Sequence, residues 1–161
     1  MDLLIVDGYN IIHALDRYRD LQKQDRQAAV NKLITDMVNL TGAAEADITV
    51  VFDGRGEGGT LEVGRVKVVY TREGQSADTV IERLVFSQDG EKTIGVCTAD
   101  WAQQKVVGRR GVKRMAPREL DDMMTAEFEE AQDDRPADRR ARLEDRLPPS
   151  VRRRLDEMRR P

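Results

Sequence analysis

The sequence predicts an α/β fold in which a central parallel sheet lies between helices and is followed by a charged helical extension. Short runs of consecutive apolar residues, typical of strands buried on both faces, alternate with segments of helical period. Several of these runs end at an aspartate, and the composition changes near residue 134. Residues 133–161 hold 10 Arg and 7 Asp or Glu, with no Lys, Gly or aromatic residue. We therefore expect a domain over residues 1–134 and an extension over 135–161.

The predicted elements follow one another along the chain. Leu3–Val6 is the first strand, and Asp7-Gly8-Tyr9-Asn10 is expected to end it with a turn. Asp25 is a suitable N-cap for a helix that Gly42 ends. Further strands are predicted at Ile48–Phe52, Val63–Thr71, Thr93–Thr98 and Val112–Met115, with helices starting at Ser76 and Pro117 and a short helix over Trp101–Val107.

The C-terminal extension is predicted to form two short amphipathic helices hinged at Pro148-Pro149. A solvated tail packed on the domain and an arm for RNA or a partner both explain it, and the alternating charge signs favour the first. One narrow apolar stripe is expected, made of Leu143, Leu147, Val151, Leu155 and Met158.

Cysteine and histidine usage excludes several classes of site. The chain has one Cys and one His, too few for an intramolecular disulfide or a zinc site built from these residues. Cys97 lies in an apolar run and is expected to be buried, and His13 to lie on a helix surface. The apolar run between Asp2 and Asp7 is too short for a signal peptide or a membrane span, so we expect a cytoplasmic protein with no membrane partner.

A glycine-rich segment, Gly54–Gly59, fits the G-x-G-x-x-G pattern of dinucleotide-binding sites. Such a site requires a helix that begins directly at the glycines. Residues 60–71 are instead β-branched and strand-like, so we reject a dinucleotide site. No Walker motif is present, which leaves nucleotide-triphosphate hydrolysis without support.

Four aspartates are expected to meet at one edge of the sheet. Asp7, Asp53 and Asp100 follow predicted strands, and Asp78 lies in the first turn of a helix. Carboxyl ends of parallel strands form the ligand crevice of such folds. Like charges gathered there repel one another, and a hard cation with oxygen ligands relieves the repulsion. Mg²⁺ or Mn²⁺ held in this way can orient a water and bind a phosphate. Taken singly, each acid is better explained as a turn or cap residue, so the metal-site hypothesis depends on all four meeting at the same edge.

These motifs are similar to those of a known family. Leu4–Asn10, Val51-Phe52-Asp53, Ser76-Ala77-Asp78 and Thr98-Ala99-Asp100 resemble the NYN-domain family of PIN-like nucleases, in particular its YacP-like branch. The resemblance covers residues 1–125, and the charged tail resembles the extension of that branch. It implies a three-layer PIN-like domain and a Mg²⁺- or Mn²⁺-dependent endoribonuclease that cuts single-stranded RNA to leave a 5′-phosphate and a 3′-hydroxyl. It further implies mRNA as the substrate and the translating ribosome as a partner.

The resemblance also implies roles for individual residues. Asp7, Asp78 and Asp100 are expected to hold the metal, and Asp53 to be a further ligand or an acceptor behind the ligands. Asn10 is expected to hold a ligand or to contact the scissile phosphate. Thr79 stands where relatives often carry another acid, so one-metal and two-metal sites both remain open.

RNA binding requires a local positive surface, because the net charge of the chain is −3. Five cations without an intervening acid lie between residues 105 and 114, close in sequence to Asp100, and cations there would neutralise phosphates. A solvated loop explains the same run equally well. Tyr9 and Trp101 are candidates for stacking on an unpaired base, although each taken singly is better explained as a packing residue. The predicted RNA-binding residues are Arg55, Arg72, Lys105, Arg109, Arg110, Lys113 and Arg114, with Arg65 and Lys67 as extensions of the patch.

Two other functions are consistent with parts of this pattern. One is a non-catalytic RNA- or ribosome-binding module with a vestigial acidic site, and four intact acids count against it. The other is a phosphatase with an aspartyl nucleophile. That chemistry requires a second Asp two residues after the first, a place that Tyr9 occupies.

Overall fold

The structure, a computed structural model, describes residues 1–54, 56–100, 111–133 and 148–159. Within them the strands are β1 (Leu3–Asp7), β2 (Asp47–Phe52), β3 (Gly59–Val63), β4 (Val66–Tyr70), β5 (Ile94–Cys97) and β6 (Val112–Met115). The helices are α1 (Gly8–Ala14), α2 (Asp16–Gln24), α3 (Arg26–Ala44), α4 (Ala77–Ser87), α5 (Pro117–Asp133) and α6 (Pro149–Arg159).

The strands form a mixed sheet in the order β3-β4-β2-β1-β5-β6. All neighbours are parallel except the antiparallel pair β3 and β4. From the central strand β1 the chain proceeds outward to β2 and β4, and it then returns through α4 to β5 and β6 on the other side. The strand order therefore reverses beside β1, and ligands of open α/β sheets bind at the carboxyl ends of the strands at such a point.

Two apolar clusters cover the two faces of the sheet, which confirms the expected three layers. Leu4 and Val6 of β1 pack with α1, α3 and α5 on one face. Ile5, which alternates with them, packs with α4 on the other. Because side chains alternate along a strand, a strand covered on both faces has to be apolar throughout. This explains the uninterrupted apolar runs in the sequence.

The predicted third strand, Val63–Thr71, is wrong in its extent. Residues 59–70 form the hairpin β3–β4, and Gly64 and Arg65 are its two-residue loop. Gly64 has φ +60°, at the loop position where a type II′ turn requires glycine. The sheet is therefore mixed rather than wholly parallel. The glycine-rich segment leads into β3 and not into a helix, which confirms the rejection of a dinucleotide site.

Two helix boundaries also differ from the expectation. The turn expected after β1 is instead the start of α1, which begins at Gly8 directly after the strand. Helix α3 begins at its predicted N-cap Asp25 but continues through Gly42 and ends at Glu45, whose φ is 50°. The caps predicted at Ser76 and the helix start predicted at Pro117 are confirmed. The predicted helix Trp101–Val107 lies outside the described residues.

Helix α6, in the predicted extension, packs on the sheet beside β3. Leu155 is fully buried in the larger cluster, and Val151 and Met158 are partly buried against it. A Cβ atom on Gly59 would lie 2.9 Å from the sulfur of Met158, so helix and strand are in close contact. The first predicted tail helix falls within residues 134–147, outside the described part of the chain. None of the described helices has both the length and the apolar character needed to cross a membrane.

Leu155→Ala is expected to lower the free energy of unfolding by about 2–5 kcal/mol, the usual range for a fully buried leucine. Arg154 is exposed on the same helix, and Arg154→Ala should change stability by less than about 0.5 kcal/mol. Urea unfolding of both variants measures the difference. Equal stability of the two would mean that α6 does not contribute to the core in solution.

Candidate active site

The carboxyl ends of three adjacent strands meet beside β1. Asp7 is the last residue of β1, Asp53 follows the last residue of β2, and Thr98 follows the last residue of β5. Because β1 lies between β2 and β5 and is parallel to both, these three residues lie at the same edge of the sheet, the one formed by the carboxyl ends of the parallel strands. The sequence predicts that Asp7 and Asp53 converge at this edge, and this prediction uses only the positions of the strands that precede them.

Each of the two strand-end aspartates at β1 and β2 is followed by a glycine for a steric reason. A Cβ atom on Gly8 would lie 2.3 Å from the ring of Phe52, and one on Gly54 would lie 2.0 Å from the carbonyl oxygen of Thr71. Both approaches are far closer than van der Waals contact. Any larger residue would displace the backbone that carries Asp7 or Asp53.

Asp7 carries an unfavourable charge. Burial, together with the negative charges of Asp78 and Asp53, raises the pKa of the Asp7 carboxyl to about 6. A hydrogen bond from the Thr98 hydroxyl opposes the shift. At neutral pH the carboxylate therefore stays mostly ionised although its surroundings disfavour the charge.

Asp53 connects the end of β2 to the start of α4. Its Oδ1 accepts the backbone N–H of Ala77 at 2.7 Å, and the Ser76 hydroxyl accepts that of Thr79 at 3.2 Å. Carboxylates are favoured at helix N-termini, where unpaired N–H groups carry partial positive charge. Asp53 thus anchors the helix turn that carries Asp78, and Asp78 is in turn close enough to act on the pKa of Asp7.

Thr98 links the loop after β5 to Asp7. Its hydroxyl donates to Oδ2 of Asp7 at 3.4 Å and accepts the backbone N–H of Asp100 at 3.1 Å. Thr98 is fully buried, and sequence reasoning did not select it as a site residue. The available signal was its place directly after the apolar strand, equivalent to those of Asp7 and Asp53.

Asn10 positions the same loop from the α1 side. Its Oδ1 accepts the backbone N–H of Ala99 at 2.6 Å, between Thr98 and Asp100. Asn10 was expected to hold a ligand or to contact the scissile phosphate. In the structure its Oδ1 connects α1 to the loop after β5 through this hydrogen bond. Asp100 is half-buried two residues beyond Thr98, and its backbone N–H donates to the Thr98 hydroxyl.

The donor set fits a hard cation. Asp7, Asp53, Asp78 and Thr98 all offer oxygen atoms, and Asp78 and Asp53 add to the effect of burial in raising the pKa of Asp7. In the described part of the chain, no three His, Cys, Asp or Glu side chains are gathered closely enough to hold a metal ion by themselves. Mg²⁺ is commonly held by only one or two carboxylates and completes its shell with water or substrate oxygens. Asp7, with Asp78 beside it, meets that requirement.

A row of aromatic rings runs beside the acids on the face covered by α1 and α3. The rings of Tyr9 and Phe52 meet edge to face with centroids 5.0 Å apart, and those of Phe52 and Tyr70 stack at 5.2 Å. The guanidinium carbon of Arg26 lies 4.3 Å from the centroid of the Tyr9 ring. Tyr9 was a candidate for stacking on a base, with packing as the favoured alternative; its ring packs on Phe52, and Arg26 covers one face of it.

The predicted RNA-binding residues within the described part of the chain do not form one patch. Arg72 is exposed in the loop after β4, at the same edge as the acids. Lys113 and Arg114 are exposed on the edge strand β6, and successive side chains of a strand point to opposite faces. Arg55, Lys105, Arg109 and Arg110 lie outside the described residues, as does Trp101.

Comparisons with known proteins agree with this architecture. The sequence-family model that describes the YacP-like NYN domain matches residues 4–160 of this chain. The protein named "Uncharacterized protein YacP" from Bacillus subtilis (strain 168) is 34% identical over 124 residues, which are 74% of this chain and 73% of that protein.

Two crystal structures of Rae1 (YacP) from Bacillus subtilis are similar to the whole fold. One, of a mutant, superposes with a TM-score of 0.70 at 26% identity and covers 98% of this chain and 99% of that one. The other has a TM-score of 0.71 at 29% identity and covers 98% of this chain and 89% of that one. NYN domains are nuclease-like, which indicates an RNase-type function and an RNA substrate. The resemblance found in the sequence motifs is thereby confirmed, and the chain belongs to the YacP-like NYN-domain family.

Proposed function

We propose that this protein is a Mg²⁺- or Mn²⁺-dependent endoribonuclease that hydrolyses phosphodiester bonds in single-stranded RNA. Its substrate in the cell is mRNA, its compartment is the cytoplasm, and the translating ribosome is its partner. Family membership supports the reaction class. The observation that carries the proposal for this chain is the Asp7 carboxylate, which is half-buried and lies within the field of Asp78 and Asp53.

The strained charge of Asp7 argues against a vestigial site. A carboxylate whose pKa is raised by burial and by like charges destabilises the folded protein at neutral pH. In a module that only binds RNA, replacing this residue with a neutral one would remove the penalty at no loss. Its presence is accounted for by a function that needs the charge, since active sites commonly retain such destabilising groups.

The residues of the site would divide the work as follows. A bound divalent cation supplies Lewis acidity and lowers the pKa of an attacking water. Asp7 and Asp78 would provide its negative ligands, and Asp100 is a third candidate ligand. Thr98 holds the Asp7 carboxylate in one orientation through its hydroxyl, while Asn10 fixes the loop that carries Asp100. Asp53 positions Asp78 through the first turn of α4.

A short fluorescent single-stranded RNA tests the reaction directly. The wild-type protein should cut it in Mg²⁺ or Mn²⁺ and not in chelator, and should leave 5′-phosphate and 3′-hydroxyl ends. Binding of the RNA without cleavage under any divalent ion would refute the hydrolase and leave the non-catalytic module as the function.

Asp7→Asn should lower the cleavage rate about a thousandfold or more and should also stabilise the fold. The folded pKa of about 6 lies above the ordinary value of 3.8, so the charge costs stability above pH 6. Removing it should raise the free energy of unfolding by about 1–3 kcal/mol at neutral pH. This gain should shrink as the pH falls from 6 towards 3.8, because wild-type Asp7 then protonates itself. Urea unfolding in chelator measures it.

Asp2→Asn is the matched control. Backbone and hydroxyl hydrogen bonds from Thr93 lower the pKa of the Asp2 carboxyl, at the opposite edge of the sheet. This variant should lose stability at neutral pH and keep full cleavage. If Asp7→Asn also lost stability, Asp7 would be a structural acceptor and not a strained site residue.

Asp53→Asn should reduce cleavage less than Asp7→Asn does. The amide oxygen of Asn can still accept the Ala77 N–H, so the start of α4 stays in place while one negative charge is lost. The apparent pKa of Asp7, followed by NMR, should fall because a neighbouring charge has gone. Loss of cleavage equal to that of Asp7→Asn, with metal affinity equally reduced, would instead make Asp53 a direct ligand.

A further inference from the structure

We propose that Arg26 binds a phosphate of the RNA beside the acidic site, and that Tyr9 is the residue that positions it. This deepens the proposed function, on which it rests, because it assigns the substrate contact on the α3 side of the site. Arg26 was not among the basic positions selected from the sequence for RNA binding, and Tyr9 was considered there only for stacking on a base.

The geometry ties Arg26 to the acids through the aromatic row. Tyr9 lies two residues after Asp7, and its ring packs against Phe52, the residue before Asp53. Arg26 is the first residue of α3, and its guanidinium lies over that ring. The chain therefore holds a positive charge at the same edge of the sheet as the Asp7 and Asp53 carboxylates.

The kind of partner distinguishes Arg26 from neighbouring cations. Arg17 pairs with Asp121, Arg19 with Asp16, and Lys32 with Asp36, so carboxylates neutralise these three. Among the described residues Arg26 takes part in no ion pair, and its contact is the face of an aromatic ring. Such a contact orders the guanidinium without cancelling its charge.

This arrangement suits a phosphate. A contact between the guanidinium and a ring face uses none of the strong hydrogen-bond acceptors, so N–H donors of Arg26 stay available, and a guanidinium can bind two phosphate oxygens in a bidentate geometry. Asp25, the adjacent acid, directs its carboxylate to the backbone N–H of Gln27 at 2.9 Å, where it caps α3. The acid next to Arg26 in the sequence is therefore hydrogen-bonded to the N-terminal turn of α3.

Because the site is acidic, the binding of RNA phosphates beside it requires a cation nearby. Asp7, Asp53 and Asp78 repel the phosphates on either side of the bond to be cut. A cation fixed in advance on one flank lowers that repulsion, and it loses little side-chain freedom when RNA binds because Tyr9 already orders it. Arg26 therefore contributes to binding of the RNA backbone, and its charge acts without regard to base sequence.

The experiment measures the affinity for a short single-stranded RNA in chelator over a series of salt concentrations. Arg26→Gln should weaken binding and should lower the slope of log affinity against log salt by about 0.7, the value for one phosphate contact on a single strand. Lys92→Gln is the matched control, since Lys92 is an exposed cation at the opposite edge, beside Thr93. It should leave the slope unchanged. A wild-type slope for Arg26→Gln would overturn the proposal.

The positioning role of Tyr9 has its own readout. Tyr9→Phe keeps the ring and should keep the salt slope, whereas Tyr9→Leu should lower it. In an Arg26→Gln background, Tyr9→Leu should have no further effect on the slope, although its effect on stability should persist. If Tyr9→Leu lowered the slope equally in both backgrounds, Tyr9 would not act through Arg26.

Cleavage assays separate this inference from the proposed function. With saturating Mg²⁺ and a series of RNA concentrations, Arg26→Gln should raise KM and leave kcat within about twofold, since a contact to a flanking phosphate acts on binding. A wild-type protein that binds RNA through Arg26 but never cuts it would refute the hydrolase and support the contact. Normal cleavage with KM and salt slope unaffected by Arg26→Gln would overturn the contact alone.

Discussion

The site is organised around one unfavourable charge, the Asp7 carboxylate at the end of the central strand. Its neighbours in the sheet, β2 and β5, bring Asp53 and Thr98 to the same edge, and α4 adds Asp78 from the far face. Two of these groups raise the pKa of Asp7 and one lowers it. The fold therefore concentrates negative charge and offers only partial compensation, which is the electrostatic condition for recruiting a cation.

The other side chains of the site act mostly on the backbone. Asp53 accepts from the first turn of α4, and Asn10 accepts from the loop after β5. Each thereby orients the segment that carries another acid, Asp78 or Asp100. A residue of this kind is essential for geometry whether or not it touches the metal. A sequence motif contains metal ligands and backbone-positioning residues alike. The pattern Asp-Gly-Tyr-Asn therefore does not show which of its residues is a ligand and which positions the backbone.

Much of the fold follows from the sequence because burial on both faces has a simple signature. The apolar runs of β1, β2 and β5 were predicted to within a residue or two, as were the caps Asp25 and Ser76. The hairpin β3–β4 was missed because β-branched residues continue on both sides of Gly64, so that the periodicity does not mark the turn. Helix α1 was missed because Asp7-Gly8 has the composition of a turn. Its glycine is instead required by contact with Phe52, which is 44 residues away in sequence and invisible to local patterns.

Charge was harder to predict than structure, because the effect of a cation depends on its partner. Counting Lys and Arg along the chain pointed to residues 105–114 and ignored Arg26, which follows Asp25 in the sequence. In the structure, Arg17, Arg19 and Lys32 pair with carboxylates, while Arg26 contacts an aromatic ring. For a chain with a net charge of −3, attraction of a polyanion cannot come from total charge. It has to come from the few cations whose charge the fold leaves uncancelled near the acids, and an aromatic partner is one way to order such a cation without neutralising it.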